Sequence, residues 1–325
     1  MRVRGSVVVV TGASSGIGRA TALAFARKGC AVVLAARREE ALEAVARACG
    51  GHRGARTLVV PADVTDPAAV QNLARRAVEH FGRLDVWVNN AAVTVFGPFQ
   101  EVPLEDFRKV VDVNVMGYVH GARAALGVMR EQGRGTLVNV SSVVAALPQP
   151  YTHAYGMSKA AVRALGTSLR QELWLAGERG IRVCTVLPAT VDTPLFDHAA
   201  NYTGRRPVAM PPVYSPERVA RAVVRVVRSP RREVVVGPAG RQLVMEARTA
   251  PGAAEKAMAV QADRTHLSRR EPGPAGHGNL HVPAPGEGAV HGGWHGRRRT
   301  AVRRLATAAL LTGTALGVGR RLRAR

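Results

Sequence analysis

Short apolar runs without polar alternation, each followed by a helical pattern, constrain this chain more than any other feature of its sequence. Val7-Val8-Val9-Val10 and Val183-Cys184-Thr185-Val186-Leu187 show the pattern most clearly. A strand with one face in water alternates apolar and polar side chains. These runs do not, so both of their faces must be covered, as in a parallel sheet flanked by helices. Strands are predicted over 6–11, 31–35, 57–61, 84–89, 136–141, 181–187 and 233–237. Helices are predicted near 17–28, 39–49, 67–81, 104–131, 154–178 and 216–228.

Seven strands with helices between them predict an α/β fold: a doubly wound, mostly parallel, seven-stranded Rossmann-type sheet with helices on both faces. Residues 1–250 are assigned to this domain. Beyond it the composition changes. Residues 271–296 hold four prolines and eight glycines, and 251–296 is therefore expected to be an extended linker or extension. Its histidines (His277, His281, His291 and His295) are irregularly spaced with no cysteine or acidic cluster nearby, so no metal is expected.

The tail, 297–325, carries nine arginines and no acid around the weakly apolar stretch 305–318. Fourteen residues fall short of the roughly 20 that a helix needs to span a bilayer. A soluble packing or disordered tail and peripheral membrane contact through the arginines and the apolar stretch are both open readings. The whole chain has 46 basic and 23 acidic residues, a net charge of +23, and only four of the basic residues are lysines. With few aromatics and no nucleic-acid motif, that excess reads as arginine-rich composition, and no nucleic acid is expected as a partner. Three widely separated cysteines form no disulfide framework, and the N-terminus runs directly into a strand, so a cytoplasmic location is expected.

Two local patterns carry chemistry. Thr11-Gly-Ala-Ser-Ser-Gly-Ile-Gly18 joins the first strand to the first helix. Gly12, Gly16 and Gly18 permit a tight turn and close approach to a pyrophosphate, whose charge a helix N-terminus favours. Downstream, Tyr155 and Lys159 stand four apart, on one face of a helix. An ammonium beside a phenol lowers its pKa from about 10, which prepares it for acid/base work. Alone, each pattern is weak. Ser142, thirteen residues before Tyr155, and Asn114 strengthen both. Ser142 as a hydrolase nucleophile with His153 as its base would lack a nucleophile elbow and leave the glycine loop and YxxxK unused.

TGASSGIG, Asn89-Asn90-Ala91-Ala92, Asn114, Ser142 and YxxxK, in this order and spacing, resemble the short-chain dehydrogenase/reductase family of the roughly 250-residue type; Asn201-Tyr-Thr-Gly-Arg-Arg-Pro207 with Pro211-Pro-Val-Tyr214 resembles a bacterial subgroup of it with a C-terminal extension. The resemblance covers about residues 1–240. Two departures are Ala92 where the family usually has glycine, and Ala189 in Pro188-Ala189-Thr190 where it usually has Pro-Gly. The resemblance implies a catalytic tetrad of Asn114, Ser142, Tyr155 and Lys159. Tyr155 would be the general acid/base, Lys159 would tune it and hold the nicotinamide ribose, Ser142 would bind the substrate oxygen, and Asn114 would position a water. It further implies cofactor contacts at Gly12, Ser14, Ser15, Gly16, Ile17, Gly18, Arg37, Asp63, Val64, Asn90, Ala91, Ala92, Tyr155, Lys159, Pro188 and Thr193.

An NAD site ends its second strand with an acid that accepts from the ribose hydroxyls. Here the strand ends Ala36-Arg37-Arg38, and a guanidinium suits the 2′-phosphate of NADP(H) better than it suits NAD(H). The expected function is carbonyl–alcohol interconversion on a hydrophobic small molecule. The alternative is a non-catalytic dinucleotide-binding protein attached through its basic tail to a membrane or acidic partner. The substrate pocket is expected to be bordered by 93–99, 143–152 and 194–212, with Leu147, Pro148, Pro150, Leu195 and Phe196 as an apolar wall. The family resemblance implies a homodimer or homotetramer paired through the helices near 104–131 and 154–178.

Overall fold

The computed structural model describes residues 3–294. The elements in chain order begin β1 (Val7–Thr11), α1 (Gly16–Ala26), β2 (Ala31–Ala36), α2 (Glu39–Gly50), β3 (Arg56–Pro61), α3 (Pro67–Phe81), β4 (Val86–Asn89), β5 (Val95–Phe96) and α4 (Leu104–Val111). After a π turn at Asp112–Met116 come α5 (Gly117–Glu131), β6 (Gly135–Val140), a 3-10 turn at Val143–Ala145, α6 (His153–Leu175) and β7 (Ile181–Pro188). The remainder is β8 (Ala200–Asn201), β9 (Arg205–Pro207), α7 (Pro216–Arg228), β10 (Glu233–Val236), α8 (Pro238–Thr249), α9 (Pro251–Thr265) and β11 (Leu267–Pro272).

Seven strands form one sheet in the order β10-β7-β6-β4-β1-β2-β3. Every pairing in it is parallel. The apolar run of β1 is explained at once. Val7 and Val9 pack on one face against Leu73 of α3, Met129 of α5 and Leu173 of α6. Val8 and Val10 pack on the other against Phe25 of α1, Leu42 of α2 and Val223 of α7. Burying a valine side chain fully is worth about 1.5–3 kcal/mol, so a polar residue at any of these positions would be costly.

Strand order reverses at β1: β2 lies on one side of it and β4 on the other. In a parallel sheet this switch point opens a crevice at the carboxyl ends of the strands. The helices that flank it stop and start on local signals. In α3, Asp66 accepts from the Ala68 N–H at 2.8 Å, Pro67 occupies the first turn, and Gly82 ends the helix in the left-handed region with φ 78°.

The structure departs from the sequence-based expectation in two places. The helix expected over 104–131 is broken by the π turn, in a segment rich in β-branched residues (Val110, Val111, Val113 and Val115) with poor helix propensity. The second departure is larger. Where an extended linker is expected from 251, the chain forms α9 and then β11, which pairs antiparallel with β9. Residues 273–294 follow without regular structure but are packed against the domain, with Leu280 and Trp294 buried. The tail from residue 295, His295 included, lies outside the described residues. Among the described residues no helix is long and apolar enough to cross a membrane.

Candidate active site

The switch-point crevice is a cleft lined by the loops that follow β1, β2, β3, β4, β6 and β7. At the first of these loops, glycine is needed for packing. Gly12 has φ 65°, and a Cβ there would lie 2.8 Å from Ala91 Cα; a Cβ on Gly18 would lie 2.0 Å from the Gly12 carbonyl oxygen. Asn90 ties this turn to β4 by donating through Nδ2 to the Thr11 and Gly12 carbonyls, at 2.9 and 3.3 Å. Gly12, Ser14, Ser15, Gly16, Ile17, Arg37, Asp63, Val64, Asn90, Ala91, Ala92, Pro188 and Thr193 all line the cleft, as do Ser142, Tyr155 and Lys159. Of the tetrad and the cofactor contacts named in the sequence, Gly18 and Asn114 do not. Gly18 lies behind the turn, and Asn114 is wholly buried beneath the floor.

Asn114 sits in the π turn. Its Oδ1 accepts from the Val93 N–H, and its Nδ2 donates to the Val93 carbonyl and to Ser158 Oγ, at 2.9, 2.9 and 3.0 Å. Both amide donors are therefore consumed by protein, and only acceptor capacity remains. Ser142 accepts from the Val144 N–H at 3.3 Å and donates to the Pro188 carbonyl at 3.5 Å, and its hydroxyl is near enough to Tyr155 to lower that residue's pKa.

Lys159 corrects one sequence-based expectation. Its Nζ donates to the Tyr118 hydroxyl (3.2 Å) and the Val140 carbonyl (3.1 Å), and lies 5.5 Å from the centroid of the Tyr155 ring. The ammonium therefore faces that ring and makes no hydrogen bond to its hydroxyl among the described residues. Burial pushes the Tyr155 hydroxyl up to about 12, opposed by the nearby Ser142 hydroxyl. Burial also brings Lys159 down to about 7. The pKa that reaches the neutral range here is the ammonium's.

The far end of the cleft is apolar. Leu195 and Phe196 contribute as expected, but Leu147 lies behind it in a cluster with Ala254 and Met258, and Pro148 and Pro150 do not line it. Residues that no sequence pattern places there complete the wall: Leu243 of α8, Met258 of α9, and His266. His266 is edge-on to Phe96 and Phe196, with ring centroids 5.0 and 5.5 Å away, and burial lowers its pKa to about 4.

The Pro/Gly-rich segment also reaches the site. Arg37 donates to the carbonyls of Asn279 (2.8 Å), Leu280 (3.2 Å) and His281 (3.4 Å). Arg38 donates to those of Ala284 (2.7 Å), Pro285 (3.2 Å) and Gly286. The Gly16 N–H, at the start of α1, donates to the Ala289 carbonyl at 2.8 Å. The helix terminus and arginines assigned to phosphates are thus already meeting oxygen acceptors, and the donor set fits an anionic dinucleotide. A strap, residues 277–294, is pinned at each end by a buried carboxylate. Asp106 takes His277 Nδ1 (2.9 Å) and His281 Nε2 (2.8 Å), and Asp192 accepts from His291 and from the N–H groups of Gly292 and Trp294. Asp106, His277 and His281 place three ligand atoms within 4.8 Å of one another, close enough to hold a metal ion, although sequence spacing suggested no metal. Asp106 lies 171 residues before His277, so no local motif could show this cluster.

Comparison with known proteins agrees with this geometry. A family model described as short chain dehydrogenase matches residues 6–202. An uncharacterized oxidoreductase, YxnA of Bacillus subtilis, is 36% identical over 246 residues, covering 75% of this chain and 68% of that protein. An 11-beta-hydroxysteroid dehydrogenase A of Arachis hypogaea is 41% identical over 184 residues, 56% of this chain and 52% of that one. Among solved structures, a short chain dehydrogenase/reductase from Burkholderia phymatum in complex with NAD superposes with TM-score 0.71 at 30% identity, over 78% of this chain and 97% of that one. An alcohol dehydrogenase from Thermococcus sibiricus complexed with 5-hydroxy-NADP gives TM-score 0.62 at 28% identity, over 72% and 96%. The parallel sheet, the glycine turn and the Ser142–Tyr155–Lys159 cleft have one common explanation: the chain belongs to the short-chain dehydrogenase/reductase family.

Proposed function

We propose that this oxidoreductase interconverts a carbonyl and an alcohol on a small apolar molecule, with Tyr155 as general acid/base and NADP(H) as cofactor. The observation that carries the reading is the convergence of Ser142, Tyr155 and Lys159 in the same cleft as the glycine turn. A nicotinamide dinucleotide bound there supplies or takes up the hydride at the carbonyl carbon. In the reductive direction Tyr155 gives its proton to the carbonyl oxygen while Ser142 hydrogen-bonds that oxygen as charge develops. Lys159, brought to about 7, can hold or release a proton near neutral pH and so resupply Tyr155. Asn114 retains an acceptor for the water that its family role assigns to it.

The absence of an acid at Ala36 and the presence of Arg37 at the ribose end support NADP(H). Phe96, Val143, Phe196, Met210, Leu243 and Met258 form an apolar chamber, which suits a hydrophobic carbonyl such as a steroid-like or lipid one. The peanut relative, named for a hydroxysteroid, is in keeping with this. Pairing of two copies through α4, α5 and α6 is supported by exposed Leu104, Met116, Trp174 and Leu175 on those elements and the turn between them. Buried, unpaired Cys30, Cys49 and Cys184 fit a reducing compartment. The tail needed for a membrane-tethered, non-catalytic reading lies outside the described residues.

The test is oxidation of NADPH and NADH by a panel of aldehydes, ketones and quinones. Tyr155→Phe should bind cofactor normally and lose about 10²–10⁴-fold in kcat. Retention of full activity by that variant would overturn the mechanism.

A further inference from the structure

The strap uses the same guanidinium donors that a 2′-phosphate would need. Arg37 and Arg38 together donate to six main-chain carbonyls between Asn279 and Gly286. Arg19 adds contacts to the Glu287 and Gly288 carbonyls, and the Gly16 N–H reaches Ala289, a contact that the pyrophosphate of either cofactor would replace and that therefore does not distinguish them. A phosphate placed between these arginines has to displace carbonyls from at least one of them. A plain ribose carries no such requirement.

A second, independent observation concerns Asn279. It lines the cleft, its carbonyl rests on Arg37, and its side-chain Oδ1 is buried with no hydrogen-bond partner among the described residues. A buried acceptor without a donor is unfavourable and is ordinarily satisfied in the functional state. An NAD site presents an acceptor to the adenosine ribose hydroxyls from the end of the second strand. In this chain that position is Ala36, which has nothing to offer, and the unsatisfied acceptor is on the strap beside it.

Building on the dinucleotide reading above, we propose that the strap over residues 279–286 is the cofactor-specificity element of this enzyme. Seated, it occupies Arg37 and Arg38 with its own carbonyls and supplies, through Asn279, the ribose-hydroxyl acceptor that Ala36 lacks. This is an NAD-type site. Lifted from the arginines, it leaves an NADP-type site. The preference of the full chain is set by competition between the strap and the 2′-phosphate, and is weaker for NADP than the two arginines would give unhindered.

Gly288 allows the strap to be unseated without altering any residue assigned to the cofactor. Its φ is 72°, and a Cβ there would lie 2.5 Å from the Ser14 carbonyl oxygen. In the full chain, Gly288→Val should raise the ratio of NADP to NAD affinity about tenfold, the equivalent of one charged hydrogen bond. Asn279→Leu should weaken NAD about fivefold and leave NADP unchanged, since it removes one neutral hydrogen bond. Should Gly288→Val not fold, hydrogen exchange on the unmodified chain decides. Saturating NADP should increase exchange over 279–286, and saturating NAD should decrease it. Equal protection by both cofactors, or an affinity ratio unmoved by Gly288→Val and Asn279→Leu, overturns the proposal while leaving the enzyme's function intact. Failure of every form to bind either dinucleotide overturns the functional reading and the strap proposal with it.

Discussion

Lys159 shows how far a single residue's role depends on where its charge is held. The YxxxK spacing correctly places it a helical turn from Tyr155, and its side chain is only 2% exposed. Spacing cannot say which oxygen the ammonium meets, and it meets Tyr118 and Val140. Burial lowers the Lys159 pKa from 10.5 to about 7, so between these values the unfolded chain binds more protons at this site than the folded one. Stability of the cofactor-free chain should therefore rise with pH above about 7. Cys30 and Cys49, pushed up from 9.0 to about 11 by burial, act in the opposite sense above about pH 9, and His277, with its raised pKa, does so as it loses its proton, so the Lys159 contribution is read between about pH 7 and 9 as the difference from Lys159→Met. Denaturant midpoints across this window should show the rise, and Lys159→Met should abolish it along with activity. The same scale explains Gly18: a Cβ 2.0 Å from the Gly12 oxygen should make Gly18→Ala cost roughly 1–3 kcal/mol and weaken dinucleotide binding, checked by denaturation and titration.

Among the elements, those of the sheet were legible because each carries its own signal: a non-alternating strand, a capped helix, an apolar stripe. Val219, Val223, Val226 and Val227 on α7 are such a stripe, all buried. The strap is different. Its composition correctly indicates that it cannot build a core, but it has no need of one when a groove lined with arginines is already formed. Its attachment should depend on pH. The hydrogen bond and charge of Asp106 raise the pKa of His277 above 6.5. Burial alone would raise Asp106, but hydrogen bonds from Tyr202, His281 and His277 outweigh it and lower its pKa. The His277 contribution is thus fully present in mild acid and fades as pH rises through its elevated pKa. Hydrogen exchange over 277–289, corrected for intrinsic rates, should quicken from about pH 6 to pH 9, and Asp106→Asn should remove the dependence.

For the molecule as a whole, the exposed apolar side chains on α4 to α6 and the turn joining α4 to α5 matter most. Leu104 is 82% exposed, Trp174 74% and Leu175 77%, which is consistent with the proposed pairing of two copies through these helices. Light scattering should give a dimer or tetramer, and Leu104→Glu with Trp174→Glu should shift it toward monomer. Sequence alone determined the parallel sheet, the glycine turn and the order of Asn114, Ser142, Tyr155 and Lys159, because period, backbone freedom and spacing are local properties that a run of residues carries with it. Tertiary structure alone decided that Leu243, Met258 and His266 line the cleft, that Lys159 turns to Tyr118, and that the strap takes up Arg37 and Arg38. Those outcomes rest on contacts between positions far apart in the chain, such as Asp106 with His281 across 175 residues, and no local pattern encodes which distant groups will meet.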